Sequence, residues 1–396
     1  MKVLELFAGI GACSVALKRI GIDVEIVDAV EIDKYAMASF NAIHNTNFVT
    51  QDITTYNKTF EDLDLICHGS PCQDFSIAGK QAGGDIGSGT RSSLMYETVR
   101  IVGQNRPKYV LWENVKNILS AKHKHNFDAY IQTMKTLGYN SYYQVLNAKD
   151  YGIPQNRERV YTISIRKDID KGIFKFPEKE ELKLRLKDML EDKVDEKYYL
   201  DNAKIEKIIN SNFMQEKKRI QEKEYSDTIL ARDWKDPKCV RVGGIFDTEK
   251  SKHQAGSIYD KEGISPTLNI MQGGWRQPSI MINNATKKGY DEAINGDSIN
   301  LAYPESQTRR DRVGHQVSQT IQCNDSMGVV NNLRIRKLTP KECWRLMGFS
   351  DLEFEKAKNV PTSNTQLYKQ AGNSIVVDVL EKIFRNLFKE KGIKDE

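Results

Sequence analysis

Cysteine is scarce in this 396-residue chain: Cys13, Cys67, Cys72, Cys239, Cys323 and Cys343 are scattered and form no CxxC pair. That spacing offers neither a disulfide framework nor a zinc site, so free thiols and no bound metal are expected. No apolar run is long enough to span a bilayer, which excludes a membrane-spanning helix. Net charge is only +5, from 59 basic and 54 acidic residues, so charge permits an anionic partner without identifying one. The opening, Met1-Lys2 and then an apolar stretch to Ile10-Gly11-Ala12-Cys13, superficially resembles a lipoprotein export signal. Glu5 interrupts that stretch and Lys2 alone precedes it, so the chain is expected to stay in the cytoplasm. With 39% hydrophobic and 29% charged residues, the composition is that of an ordinary soluble globular chain, and its length predicts two domains.

Up to about Arg166 short apolar runs alternate with amphipathic stretches. Residues 2–7, 24–30, 63–67, 109–112, 142–146 and 159–165 predict buried strands, and 14–20 and 126–137 predict helices closed by Gly21 and Gly138. Strand and helix in alternation imply an α/β architecture, doubly wound and Rossmann-like, around a mainly parallel sheet. From about Asp168 the text changes. Residues 171–225 are dense in Lys and Glu with apolar residues at helical spacing, which predicts exposed helices. Residues 239–332 are rich in glycine, asparagine and short β-forming runs, which predicts a smaller, loop-rich β domain. Within it 263–268 and 315–321 echo each other, as two similar hairpins or as a duplication. Helical periodicity returns after Arg334, so the expected division is a first domain over 1–167, a second over 168–332, and a segment over 333–396 packing back on the first.

Phe7-Ala8-Gly9-Ile10-Gly11 ends the first strand and opens a helix, where glycines let backbone amides approach a cofactor at the positive end of the helix dipole. Glu31 lies just past the second strand, where a carboxylate can accept from both hydroxyls of a ribose; a tight turn with a solvated acid is the alternative. Asp52, after a third short strand, is a candidate for an adenine amino group, or an N-cap before Thr54. Gly69-Ser70-Pro71-Cys72-Gln73 follows a buried strand, which sets Cys72 at the carboxyl edge of the sheet, where open α/β sheets place ligands. A thiol there is nucleophilic enough to attack an electron-poor ring, and its neighbours have loop rather than core composition; Cys67, inside the strand, is the filler. Glu113 emerges from another buried strand, where an apolar setting can raise a carboxyl pKa and make it a proton donor; capping the next helix is the alternative. Alternation puts Arg157 and Arg159 on one face, suited to a carbonyl oxygen or a phosphate, or to an ion pair with Glu158 or Glu113.

In order along the chain, FAGIG, the glutamate after the second strand, SPCQ, ENV, QNRERV, RKLTPKECWRLMGF at 336–349 and QAGNS at 370–374 resemble the motif series of the DNA (cytosine-5)-methyltransferase family. The ordered set is specific where no single string is. It covers nearly all of 2–166 and 334–380, and the chain resembles a compact bacterial or phage member.

The resemblance implies S-adenosyl-L-methionine as cofactor and double-stranded DNA as partner, with the protein acting as a monomer. Over 1–167 it implies an S-adenosylmethionine-dependent methyltransferase domain, and over 168–332 a target-recognition domain. Cys72 would add to carbon 6 of a flipped-out cytosine, with Glu113 on ring nitrogen N3, Arg159 on the exocyclic oxygen and Arg157 beside it. Phe7, Gly9, Gly11, Glu31, Ile32, Asp52, Ile53, Pro71, Asn373 and Ser374 would surround the cofactor. Ile32 stands where many members carry an aromatic, so adenine would pack on an aliphatic side chain. A loop over 73–91 carrying Gln73, Ser76 and Arg91 would close over the extruded base. Arg241, Arg276, Arg309, Arg310 and Arg312 are candidates for base edges or phosphates. Both Thr267-Leu268 and Thr320-Ile321 resemble a short family element in this region, which leaves the recognition loops open. Three rival readings are a tRNA-methylating branch, disfavoured by the long middle region, a catalytically silent DNA-binding module, and a nicotinamide dehydrogenase, which would leave Cys72 and Glu113 unexplained.

Overall fold

A computed structural model describes residues 1–71, 91–199, 279–286, 289–294, 296–302, 310–321, 327–331 and 334–389. The chain divides into two compact units, one formed by Met1–Leu184, Thr320–Asn324 and Pro340–Glu396, the other by Arg185–Gln319 and Asp325–Thr339.

The first unit is built on β1 (Lys2–Leu6), β2 (Glu25–Val30), β3 (Leu65–His68), β4 (Tyr109–Val115), β5 (Tyr139–Asn147) and β7 (Glu158–Arg166), with the two-residue β6 (Gln155–Asn156) between the last two. Their order across the sheet is β2-β1-β3-β4-β7-β5. β1 pairs in parallel with β2 and β3, and β3 with β4, whereas β7 runs against both β4 and β5. The ten residues 148–157 between β5 and β7 explain that reversal, being too few for the helical crossover a parallel pair needs. Val3, Leu4 and Leu6 of β1 are buried, as are Leu65, Ile66 and Cys67 of β3. Consecutive buried residues mark strands covered on both faces, and in β1 Glu5 is buried along with its apolar neighbours.

Helices α1 (Ala12–Arg19), α2 (Lys34–His44), α3 (Met95–Asn105) and α4 (Lys124–Thr136) connect the strands. From the far end of the chain come α5 (Pro340–Arg345), α6 (Asp351–Lys358), α7 (Asn364–Asn373) and α8 (Val377–Leu387). α8 packs on α1 and α6 on α2. Val377, Leu380 and Phe384 of α8, at helical spacing, are all buried. Ser350 starts α6 with a reciprocal capping box to Glu353.

The exposed helices predicted over 171–225 are absent from the part of that stretch which is described. Residues 171–199 contain two short 3-10 turns, Leu186–Met189 and Glu196–Tyr198, and no α-helix. Tertiary contacts override the helical spacing there. Pro177 lacks a backbone donor and its carbonyl accepts from the Tyr151 hydroxyl at 3.2 Å, the Lys175 carbonyl accepts from Asn386 Nδ2 at 3.1 Å, and Leu186 and Met189 are buried from a 3-10 turn.

The second unit contains the antiparallel sheet β11-β10-β13-β14, from β10 (Ser298–Asn300), β11 (Val313–Gly314), β13 (Met327–Asn331) and β14 (Arg334–Lys337), with the two-residue β12 (Ser318–Gln319) following β11 in the chain. It also holds the antiparallel hairpin of β8 (Ser279–Asn283) and β9 (Tyr290–Ile294). Ile282, Ala293, Ile299, Val313 and Val330 form its small core. Buried Asp297 accepts from the backbone of Ile294 and Gln316 at 2.9 and 3.0 Å, which fixes the turn between β9 and β10. Among the described residues no helix is long and apolar enough to cross a membrane.

Candidate active site

β1 and β3 lie side by side where the strand order reverses, and their carboxyl-terminal residues Leu6 and His68 are register partners. The loops leaving them therefore open into one crevice, the position where a doubly wound sheet receives a ligand. The first loop is tightly wound. Phe7, Gly9 and Gly11 have φ of 51°, 56° and 81°, a region that costs a side-chain-bearing residue such as Phe7 about 1–2 kcal/mol. A Cβ on Gly9 would meet nothing within 4 Å, so an open cradle lies over it, whereas one on Gly11 would fall 2.0 Å from Nε2 of His44. Gly11 is the N-cap of α1 and contributes no side-chain cap; instead buried Glu5 accepts from the Ser14 N–H at 3.1 Å and from the Ser14 hydroxyl. Burial drives the Glu5 carboxyl up to about 7 against the pull of those bonds.

Glu31 follows β2 directly. Its Oε2 accepts from Gly9 N at 3.0 Å and its Oε1 from Asp33 N at 2.8 Å, so the carboxylate ties the glycine loop to the start of α2. Burial raises its pKa above the ordinary range, while the N–H groups of Asp33, Gly9 and Ile32 hold it back. Next to it Ile32 is 70% exposed, an apolar side chain presented to solvent. An open cradle, a carboxylate able to take hydroxyl protons and a bare aliphatic surface fit an adenosyl group. Asp52 Oδ1 accepts from the Thr54 N–H at 2.9 Å and its hydroxyl at 2.8 Å, the capping role weighed against adenine binding in the sequence. Ile53 is buried in the core cluster under the sheet.

The second loop is held from β4. Ser70 is buried; its Oγ accepts from Trp112 Nε1 at 2.9 Å, and its carbonyl from Asn114 Nδ2 at 3.3 Å. Pro71, half-buried, closes the described part of this turn. The antiparallel register of β4 and β7 sets Tyr161 opposite Glu113 and Arg159 opposite Val115, so Glu113 and Arg159 are diagonal neighbours on one face. Their Oε1 and Nε lie 3.1 Å apart, both side chains mostly buried. Of the two ion pairs weighed for Arg159, the one with Glu113 forms; Glu158 pairs with Lys116 at 2.9 Å. Glu113 Oε2 also lies 3.6 Å from the point where a Cβ on Gly69 would sit, which brings the carboxyl against the turn leading to Cys72. Beneath, His68 hydrogen-bonds Tyr130 at 3.1 Å and stacks on Trp112; burial depresses its pKa to about 3, so it is neutral.

Arg157 does not share the setting of Arg159. Its guanidinium is buried and donates to the carbonyls of Ile321 at 3.2 Å, Gly372 at 3.2 Å and Ser374 at 2.9 Å. It clamps the end of α7, where Asn373 is exposed and Ser374 buried. Arg312 likewise does not stand with the exposed arginines: only 1% accessible, it donates to the carbonyls of Asn300 and Ala302 in the second unit, both at 3.3 Å. Its place next to β11 turns it inward, while Arg310 is exposed. Cys72, Gln73, Ser76, Arg241, Arg276, Arg309, the side chain of Arg91 and the pair Thr267-Leu268 lie outside the described residues.

Sequence reasoning missed the parts played by Ser70, Trp112 and Asp33. Asp33 could have been found as an N-cap ahead of the helical 34–44 run. Ser70 and Trp112 carry no local signal, because their bond joins residues 42 positions apart.

A sequence model of the family described as C-5 cytosine-specific DNA methylase matches residues 1–389. The orphan methyltransferase M.SPBetaI of Bacillus phage SPbeta is 33% identical over 98% of this chain and 97% of its own length. The type II methyltransferase M.HhaI of Haemophilus parahaemolyticus is 33% identical over 98% of this chain and 94% of its own. Among solved structures, the methyltransferase EhMeth of Entamoeba histolytica gives a TM-score of 0.58 at 16% identity, covering 100% of this chain and 99% of that one. A putative DNA modification methyltransferase from an E. coli prophage gives 0.56 at 20%, covering 98% and 99%. The two structures share the fold.

Proposed function

Because this chain belongs to the C-5 cytosine-specific DNA methylase family, and so transfers a methyl group from S-adenosyl-L-methionine to carbon 5 of cytosine in DNA, we propose that Cys72, Glu113 and Arg159 carry the reaction. The observation that supports this is the Glu113–Arg159 pair, 3.1 Å apart and set against Gly69, three residues before Cys72.

The Cys72 thiolate adds to carbon 6 of a cytosine swung out of the duplex, since that atom is out of reach within the stack. Ring electrons move toward N3, where the Glu113 carboxyl supplies a proton or hydrogen bond. Arg159, already beside that carboxyl, turns its remaining donors to the exocyclic oxygen. Carbon 5 thereby becomes nucleophilic. The cofactor supplies an electrophilic methyl group. A base or water then takes the carbon 5 proton, the carbon 5–carbon 6 double bond returns, Cys72 leaves as thiolate and N3 gives its proton back to the Glu113 carboxylate. Glu31 and Ile32 hold the adenosyl end of the cofactor, with Phe7, Gly9 and Gly11 shaping the loop beneath and Asn373 and Ser374 closing its rim. Arg157 positions that rim rather than the base.

In this reading 1–167 and 333–396 form the catalytic part and 168–332 the target-recognition part, with Arg241, Arg276, Arg309 and Arg310 as reading or gripping residues. The protein acts as a monomer on double-stranded DNA. A duplex pool of randomised sequence containing 5-fluorocytosine tests the chemistry: with cofactor, a covalent protein–DNA band is expected on a denaturing gel. Cys72→Ala abolishes that band, and a band that persists in Cys72→Ala overturns the assignment.

A further inference from the structure

A chain of contacts runs into the cofactor loop from residues more than 300 positions away. Lys369 of α7 places its ammonium 2.5 Å from Asp33 Oδ2. Asp33 Oδ1 caps α2, accepting from Tyr35 N at 2.9 Å and Ala36 N at 3.3 Å, and Asp33 N donates to Glu31 Oε1 at 2.8 Å. Glu31 Oε2 receives Gly9 N at 3.0 Å. Asn373 lies one turn beyond Lys369 on the same helix.

We infer that Lys369 is a positioning residue for cofactor binding, holding the Glu31 carboxylate in place through Asp33. The inference rests on the reading of Glu31 as a cofactor residue. Asp33 carries two kinds of partner on two oxygens, and only one is local. The two backbone N–H groups hold Oδ1 and Lys369 holds Oδ2, so removing the ammonium unties this turn from α7 and lets the Asp33 N–H drift from Glu31, without uncapping the helix. Burial works against ionisation of Asp33, but Lys369 and the two N–H groups outweigh it and hold the carboxyl below its ordinary range. A fully charged Asp33 between two elements leaves its own N–H aimed at Glu31, and a Glu31 held from both sides presents its remaining lone pairs to the crevice. The docking of α7 does not depend on Lys369, because buried Gln370 donates to Tyr35 O at 3.0 Å and accepts from the Ser39 hydroxyl at 3.2 Å.

The test is a double-mutant cycle read by calorimetric titration of S-adenosyl-L-methionine into the full-length protein. Lys369→Met and Asp33→Asn each weaken binding about fivefold, the upper range for a partly exposed pair. The double variant is no worse than either, and Lys369→Arg restores wild-type affinity. Asparagine keeps the N-cap, so thermal midpoints stay put. The KM for cofactor rises in step with the dissociation constant, and the KM for DNA does not move. Unchanged affinity in both single variants, or additive losses in the double, overturns the inference. Glu31→Ala separates the two readings: if it weakens binding while Lys369→Met does not, only the role of Lys369 fails. If Glu31→Ala leaves affinity intact, the reading of Glu31 itself is wrong.

Discussion

Gly9 and Gly11 share a left-handed backbone and differ in what surrounds them. A methyl group at position 11 would strike the His44 ring, whereas at position 9 it would enter open space. Gly11→Ala is therefore expected to lower unfolding free energy by about 3 kcal/mol or more, combining overpacking with backbone strain, as read from urea midpoints. Gly9→Ala pays the backbone term alone, about 1 kcal/mol, yet weakens cofactor binding more than about tenfold by filling the cradle. A Gly9→Ala protein that binds cofactor normally would show that the cradle has another use. Both glycines were legible because a left-handed backbone leaves its mark in residue type. The parts of Arg157 and Arg312 were not, since a guanidinium that reads DNA and one that satisfies buried carbonyls look alike in sequence. Only the fold separates them, by burying both.

At the scale of elements, the six strands placed by residue range up to Arg166 are present with ends displaced by three residues or fewer, whereas the short strand expected before Asp52 is absent. Residues 142–146, expected to be buried, lie at the sheet edge with Tyr143 51% exposed; their tyrosines and valine mark a strand without marking its depth. The reversed direction of β7 was not foreseen, since strand polarity depends on the length of the connection rather than on the pattern within it. α2 and α3 went unread beside the stronger strand signals, and over 171–199 helical spacing gave way to tertiary contacts made by other backbone conformations. The clamp by Arg157 gives an element-scale prediction. Arg157→Leu strands the carbonyls of Ile321, Gly372 and Ser374, and is expected to cost about 2–4 kcal/mol in chemical denaturation. Arg157→Lys recovers little of this, because one compact ammonium cannot reproduce the planar fork that reaches divergent oxygens. A lysine variant as stable as wild type would refute the clamp.

For the molecule as a whole, stability depends on pH through buried groups with opposed signs. Glu5 titrates near 7 when folded and near 4.5 when free, so its contribution is full below pH 4.5 and is lost as pH rises to 7. Relative to wild type, Glu5→Gln is thus expected to gain about 1.4 kcal/mol per pH unit across that window. His68, near 3 when folded against 6.5 when free, works the other way: its contribution is present above 6.5 and is lost as pH falls toward 3. His68→Gln accordingly gains on wild type as the solution is acidified below 6.5. Denaturation series at several pH values check both slopes, and parallel lines for variant and wild type contradict them. The bond from Lys369 to Asp33 has one more consequence, which concerns time. A ribosome releases the amino end first, so Gly9 and Glu31 emerge hundreds of residues ahead of the helix that secures them, a delay of tens of seconds at ordinary translation speeds. A nascent polypeptide carries the glycine loop without its brace, and the enzyme comes to full readiness only once α7 has been made and has docked.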